Sequence, residues 1–245
     1  MNKENVKKEK KELLTQEQMQ AILNSCYQKA VSGIPHVSPS IDELAEEYLQ
    51  KYSTPEEAAK QMLKNQITKC TTSGFITGLG GAITLPVAIP ANISSVLYVQ
   101  MRMIAAMAYM VGLDLKSDHV QTLSYACLAG VSVNGVVKKA GVAAGQKLTT
   151  SMIQKIPGAV CVKINQAVGF RFITKFGQKG IINLGKMVPV VGGAISGGFD
   201  FAETRAIANR AYKMFFEGDF ASGFTSDAQD DDCIDVDFED VDIEK

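Results

Sequence analysis

Between Gly74 and Met101 the chain runs for 28 residues without a charged side chain, and on either side of this run the apolar positions recur at helical spacing. Upstream, Ala58, Ala59, Met62, Leu63, Ile67 and Cys70 fall on one face of a helix. Its start is marked by Thr54-Pro55-Glu56-Glu57, a cap, a proline at the first helical position and a carboxylate at the third. Ser40-Ile-Asp-Glu43 is a capping box that opens a helix to about Tyr52, and a further helix is expected from about Thr15 to Ala30. Within the uncharged run, Gly80-Gly81, Pro86 and Pro90 would break a membrane-spanning helix near its middle, so a buried or shallowly inserted hairpin is expected. After Pro90 a long, almost wholly apolar helix should reach about Gly112, with Asn92, Ser95 and Arg102 as a thin polar stripe. Ser117 is placed to cap a helix through Leu128. Short helices are expected up to Lys155, and a last helix from after Gly198 to about Phe216.

A shift of 103 residues lays Pro86-Val87 on Pro189-Val190 and Arg102-x-Ile-Ala-x-x-Ala-Tyr109 on Arg205-x-Ile-Ala-x-x-Ala-Tyr212. This predicts two copies of one unit, about 65–112 and 165–216: a helix, a glycine-rich turn, then a long helix. The turns would carry Gly78, Gly80 and Gly81 in one copy and Gly192 and Gly193 in the other. The expected fold is all-α, a helical bundle in one domain over 15–218, with a flexible basic lead-in at 1–14 and a disordered acidic tail at 219–245.

Composition narrows the class. With 46% hydrophobic and 21% charged residues among 245, the chain is that of a globular protein with a real core. Its five cysteines are widely spaced and odd in number, which suggests reduced thiols and neither a disulfide framework nor a zinc site. Met1 to Glu12 is charged throughout, so no secretory signal is read and cytoplasmic exposure is expected.

The net charge of −1 conceals a strong asymmetry. Asp227–Lys245 holds ten acids and one lysine, a balance of −9, so the remainder stands at +8. Lys138–Lys213 alone has nine Lys and three Arg against Asp200 and Glu203, a balance of +10. Such a field favours an anionic surface. Nucleic acid is the weaker partner, because the stretch lacks clustered aromatics on which bases could stack.

No complete catalytic motif is present. Gly180-x-x-x-x-Gly185-Lys186 has the frame of a phosphate loop, but Met187 stands where a hydroxyl should hold magnesium, and no cofactor is expected. Gly130-Val-Ser132-Val-Asn134-Gly135 misses the nucleophile-elbow spacing by one residue. The weak catalytic candidates are Asp118 and His119 at a helix start. A hydrolase site would have to combine them with Asn92 and Arg102. Arg102 is the only charge between Cys70 and Asp114 and has no acid three or four residues away. A pair with Asp200 or Glu203 of the last helix is therefore expected.

The sequences Gly74-Phe-Ile-Thr-Gly-Leu-Gly-Gly81, Leu85-Pro-Val-Ala-Ile-Pro-Ala-Asn92, Val99-Gln-Met-Arg-Met-Ile-Ala-Ala106, Gly112-Leu-Asp114 and Met187-Val-Pro-Val-Val-Gly-Gly193 resemble the EcsC protein family over about Ser40 to Phe216. That resemblance implies a bacterial group of uncertain molecular function, whose namesake is encoded beside an ABC transporter. Taken with the uncharged segments and the basic stretch, it leads to the expectation of a non-catalytic, peripheral module on the cytoplasmic, inner face of the membrane, whose partner is an anionic membrane surface or a membrane protein such as an ABC transporter. It supplies no catalytic residue to carry over.

Overall fold

The computed structural model describes residues 15–71, 91–139, 148–176 and 193–220, with 141, 145 and 146 between them. These residues form helices joined by short turns and no strand; the nearest to a sheet is a single antiparallel bridge between Ile34 and Ser38. The all-α expectation holds.

The capping signals at Ser40 and Thr54 act where they stand in the sequence, whereas Ser117 takes the N-cap position of the helix Asp118–Ala129 without a side-chain cap bond. Helix α1 (Gln16–Ser32) opens on a capping box in which Thr15 Oγ1 accepts from the Gln18 amide at 3.2 Å and Gln18 Oε1 accepts from the Thr15 amide at 2.9 Å. Glu43 Oε2 takes the Ser40 amide at the start of α2 (Ile41–Lys51). Thr54 Oγ1 takes the Glu57 amide at the start of α3 (Pro55–Thr71). Each bond satisfies a backbone donor that the first helical turn would leave without a partner.

Helix α4 (Ala91–Met110) is the axis of the body. From Leu97 to Ala108 every side chain is buried, as a helix that is apolar all round requires. It is enclosed by α1, α2, α3, α5 (Asp118–Ala129) and α9 (Gly193–Tyr212). The part of the uncharged run from residue 94 to residue 101 is therefore spent on the protein's own core. No helix among the described residues is long and apolar enough to cross a membrane.

After α5, Gly130 adopts φ 70° and closes the helix. The short helices α6 (Asn134–Lys139) and α7 (Thr150–Ile153) lead to α8 (Gly158–Phe176), which packs on α5 and α1. Sequence periodicity did not single out α8 as a separate long helix. The last helix starts at Gly193, earlier than expected, and passes after Tyr212 into a π-helical turn, Lys213–Glu217, closed by Gly218 at φ 65°.

Helices α4 and α9 are both 20 residues long. In the register of the 103-residue shift, Ile104, Ala105 and Ala108 and their counterparts Ile207, Ala208 and Ala211 are all buried. The glycine turns at Gly78, Gly80, Gly81 and Gly192, the Gly180–Met187 segment and the tail beyond Phe220 lie outside the described residues; Asp219 and Phe220, assigned to the tail from sequence, join the body, with Phe220 buried and the Asp219 amide donating to the Lys213 carbonyl.

The turn between α1 and α2 rests on Gly33. It has φ 76°, and a β-carbon there would lie 2.6 Å from the Pro39 carbonyl carbon and oxygen. Backbone atoms cannot yield as a side-chain end can. Gly33→Ala is expected to destabilise the fold by about 1–3 kcal/mol, read as a lower denaturation midpoint with an unchanged denaturant slope. Unchanged stability would mean that the turn is not built as described.

Candidate functional site

The polar group buried most improbably is the Arg102 guanidinium, in a residue only 4% exposed at the centre of α4. Its Nη1 donates to the Ala30 carbonyl at 2.9 Å and, more weakly, to the Tyr98 hydroxyl at 3.4 Å. Ala30 lies in the last turn of α1, where carbonyls lack intrahelical partners and the helix dipole is negative. The cation also stands 5.6 Å from the centre of the Tyr98 ring, one turn back on the same face. Burial lowers the pKa of Arg102, and Tyr98 opposes the shift; a guanidinium is intrinsically basic enough to remain a cation in proteins.

The expected bond from Arg102 to Glu203 does not form. Positions 98 and 102 face α1, whereas Gln100, about 200° around the helix, faces α9. There Gln100 Nε2 donates to Thr204 Oγ1 at 3.0 Å, with both residues buried. The α4–α9 contact is real, but an amide and a hydroxyl make it, and Glu203, next to Thr204, lies on the wrong side of α4 for Arg102. The side chains of Asp200 and Asn92 lie outside the described residues.

The polar thread continues outward from Tyr98. Its hydroxyl shares a 2.5 Å hydrogen bond with Ser38 Oγ, which also accepts the Ile34 amide at 3.2 Å. The Ile34–Ser38 turn, in which His36 takes φ 63°, is thus tied to the core helix. Residues 32 and 34–40, with Glu43, surround an open hollow of about 510 Å³. The walls of this hollow hold one histidine and one carboxylate, His36 and Glu43. Nothing there aligns a nucleophile with a base.

Asp118 and His119 are not brought together with Arg102. Asp118 is exposed in the first turn of α5, and His119 Nε2 donates to the Ile156 carbonyl at 2.8 Å. That bond fixes the tautomer and ties α5 to the turn before α8. Ser95 is fully buried in α4. Gly130 is the left-handed cap of α5, not part of a nucleophile elbow, and Ser132 Oγ accepts the Asn134 amide at the start of α6. Among the described residues no group of three or more His, Cys, Asp or Glu is placed to hold a metal ion.

A second guanidinium repeats the pattern of Arg102. Arg210 Nη1 donates to the Cys127 carbonyl in the last turn of α5 at 2.8 Å, and a β-carbon on Gly130 would come within 3.2 Å of its guanidinium. Sequence reasoning missed this contact and the roles of Tyr98 and Ser38. The spacing of Tyr98 and Arg102 was a usable signal; Ser38 and Arg210 gave none.

These residues sit in a recognisable family frame. A family model described as the EcsC protein family matches residues 3–216. The chain belongs to the EcsC protein family. No curated protein and no solved structure matches it. The EcsC match includes Arg102, Tyr98, Ser38 and Arg210 and ends before the acidic tail, whose charge is a feature of this chain outside the matched region.

Two outcomes test this arrangement. Arg102→Met removes the donor to the Ala30 carbonyl and one of the two partners of the Tyr98 hydroxyl, and is expected to cost about 1–3 kcal/mol, against roughly 1 for Tyr98→Phe. Equal denaturation midpoints for wild type and Arg102→Met would remove Arg102 from its structural role. Burial also pushes the Cys26 and Cys127 thiols up to about 12, with Arg210 partly opposing the shift at Cys127. Both should therefore resist alkylation at pH 8 in the folded chain and react once it is unfolded, as peptide mapping by mass spectrometry would show.

Proposed function

We propose that this EcsC-family chain is a non-catalytic module on the cytoplasmic face of a membrane, held there by an anionic lipid surface or by a membrane protein, an ABC transporter being the partner that the family name suggests. The carrying observation is the charge layout, +10 over Lys138–Lys213 against −9 over Asp227–Lys245. Of the described basic residues in this stretch, Lys138, Lys155 and Arg205 are exposed, Lys163, Arg171 and Lys213 are partly exposed, and Arg210 turns inward to the Cys127 carbonyl. The interior polar groups support the same reading. Arg102, Gln100 and Arg210 each hold one helix to another and His119 holds α5 to the turn before α8, so these groups are committed to separate structural contacts. The hydrolase reading with Asn92, Arg102, Asp118 and His119 would need Arg102 and His119 to leave those bonds.

In this reading the acidic tail competes with lipid for the lysines of the body. The full chain should sediment with phosphatidylglycerol vesicles at low salt and be released as salt rises, because screening shortens the reach of surface charge. A chain ending at Ser226 should bind more strongly at the same salt. Absence of binding by both forms under all conditions would overturn a lipid surface as the partner, and equal binding by the two would remove the tail from the mechanism.

A further inference from the structure

Helix α8 has the sequence Gly158-Ala-Val-Cys-Val-Lys-Ile-Asn-Gln-Ala-Val-Gly-Phe-Arg-Phe-Ile-Thr-Lys-Phe176. It contains Lys163, Arg171 and Lys175 and no acid. Val160, Ile164, Val168 and Phe172 are buried, and they mark the face that packs on α5 and α1. On the opposite face stand Ala159, Val162, Gln166 and Phe170, all exposed. Val162 and Phe170 are each 55% exposed, and with Val37 they are the large exposed apolar residues found among the described residues. A surface helix ordinarily turns charge to solvent. This one turns a valine and a phenylalanine outward, separated by two turns, with a cation at the border and none of the opposite sign.

Resting on the reading above, we propose that the outer face of α8 is the lipid-contacting surface, with Phe170 and Val162 entering the interfacial region of an anionic bilayer and Lys163 and Lys155 meeting headgroup phosphates. The choice of lipid follows from charge and shape together. The helix and the turn before it are uniformly positive, which fits a sheet of anionic headgroups, and a bilayer surface accepts a convex helix face without a matching groove. Two apolar side chains are too few for a stable protein interface core. With lysines beside them they match the two-signal binding of peripheral proteins.

The absence of tryptophan from the sequence makes the test direct. In the full chain, Phe170→Trp supplies a single reporter on this face, and Gln50→Trp supplies one at an exposed position of α2. With vesicles of mixed phosphatidylglycerol and phosphatidylcholine at low salt, the Phe170→Trp emission should shift to the blue and be quenched by brominated acyl chains. The Gln50→Trp emission should do neither, and pure phosphatidylcholine should leave both unchanged. Replacing both Val162 and Phe170 by serine should weaken vesicle partitioning roughly tenfold while the circular dichroism stays that of the wild type. If the wild-type chain binds these vesicles but the Phe170→Trp emission does not move, this face is the wrong one and the membrane reading stands. If neither the wild type nor the chain ending at Ser226 binds, this assignment falls together with the lipid surface as the partner. A blue shift without lipid that grows with protein concentration would assign the face to a second copy of the chain, and one abolished by ending the chain at Ser226 would assign it to the acidic tail; either result overturns the lipid assignment.

Discussion

A permanent positive charge sits in the middle of a helix that is surrounded on every side, and no acid on its own helix can reach it. Arg102 must take its acceptors from whatever packs against that face of α4, and α1 provides them in its last turn. The bond to the Ala30 carbonyl does two things together: it satisfies a helix-end acceptor and places the cation where the dipole of α1 is negative. Sliding α1 by one turn, about 5.4 Å, would strand the guanidinium. The Arg102–Ala30 bond thus adds a register constraint to the packing of α1 on α4, and the Tyr98–Ser38 bond ties the turn after α1 to the same helix.

The same solution appears at the end of α5, where Arg210 takes the Cys127 carbonyl. Together with the Gln100–Thr204 bond and the His119–Ile156 bond, these contacts use interior polar groups as fasteners between helices. Such groups are costly to bury and costlier to leave unmade, so a body fastened in this way has little freedom to rearrange them around a substrate. Outside the packed core, positive charge and a few apolar side chains of α8 face solvent.

The matched positions of α4 and α9 show how far a shared pattern reaches. Ile104, Ala105 and Ala108 and their counterparts Ile207, Ala208 and Ala211 are buried alike, because small and branched apolar residues at helical spacing suit any helical neighbour. Arg102 and Arg205 differ entirely: the first is enclosed and the second exposed. Helix α4 is covered on all sides, whereas α9 lies on the flank of the bundle against α3, α4 and α5.

Helix starts were legible in the sequence because caps are local. Thr15 with Gln18, Ser40 with Glu43 and Thr54 with Glu57 each need only three or four consecutive residues, and each forms as the sequence suggests. The all-helical class followed from periodicity in the same way; the lack of charge left open whether the apolar run is buried in protein or inserted in a membrane, and packing buries α4 from Leu97 to Ala108. The partner of Arg102 was not legible. Its isolation foretold a buried contact, but the acceptor is a backbone carbonyl 72 residues away, and every residue type carries that atom, so the sequence leaves no mark at Ala30. Charge pairing pointed to Asp200 or Glu203; the rotation of α4 about its own axis, set by packing on five helices at once, turned the guanidinium to α1. The outward face of α8 was hidden for a related reason: its apolar residues surround the helix, and only the placement of α5 and α1 decides which of them remain in water.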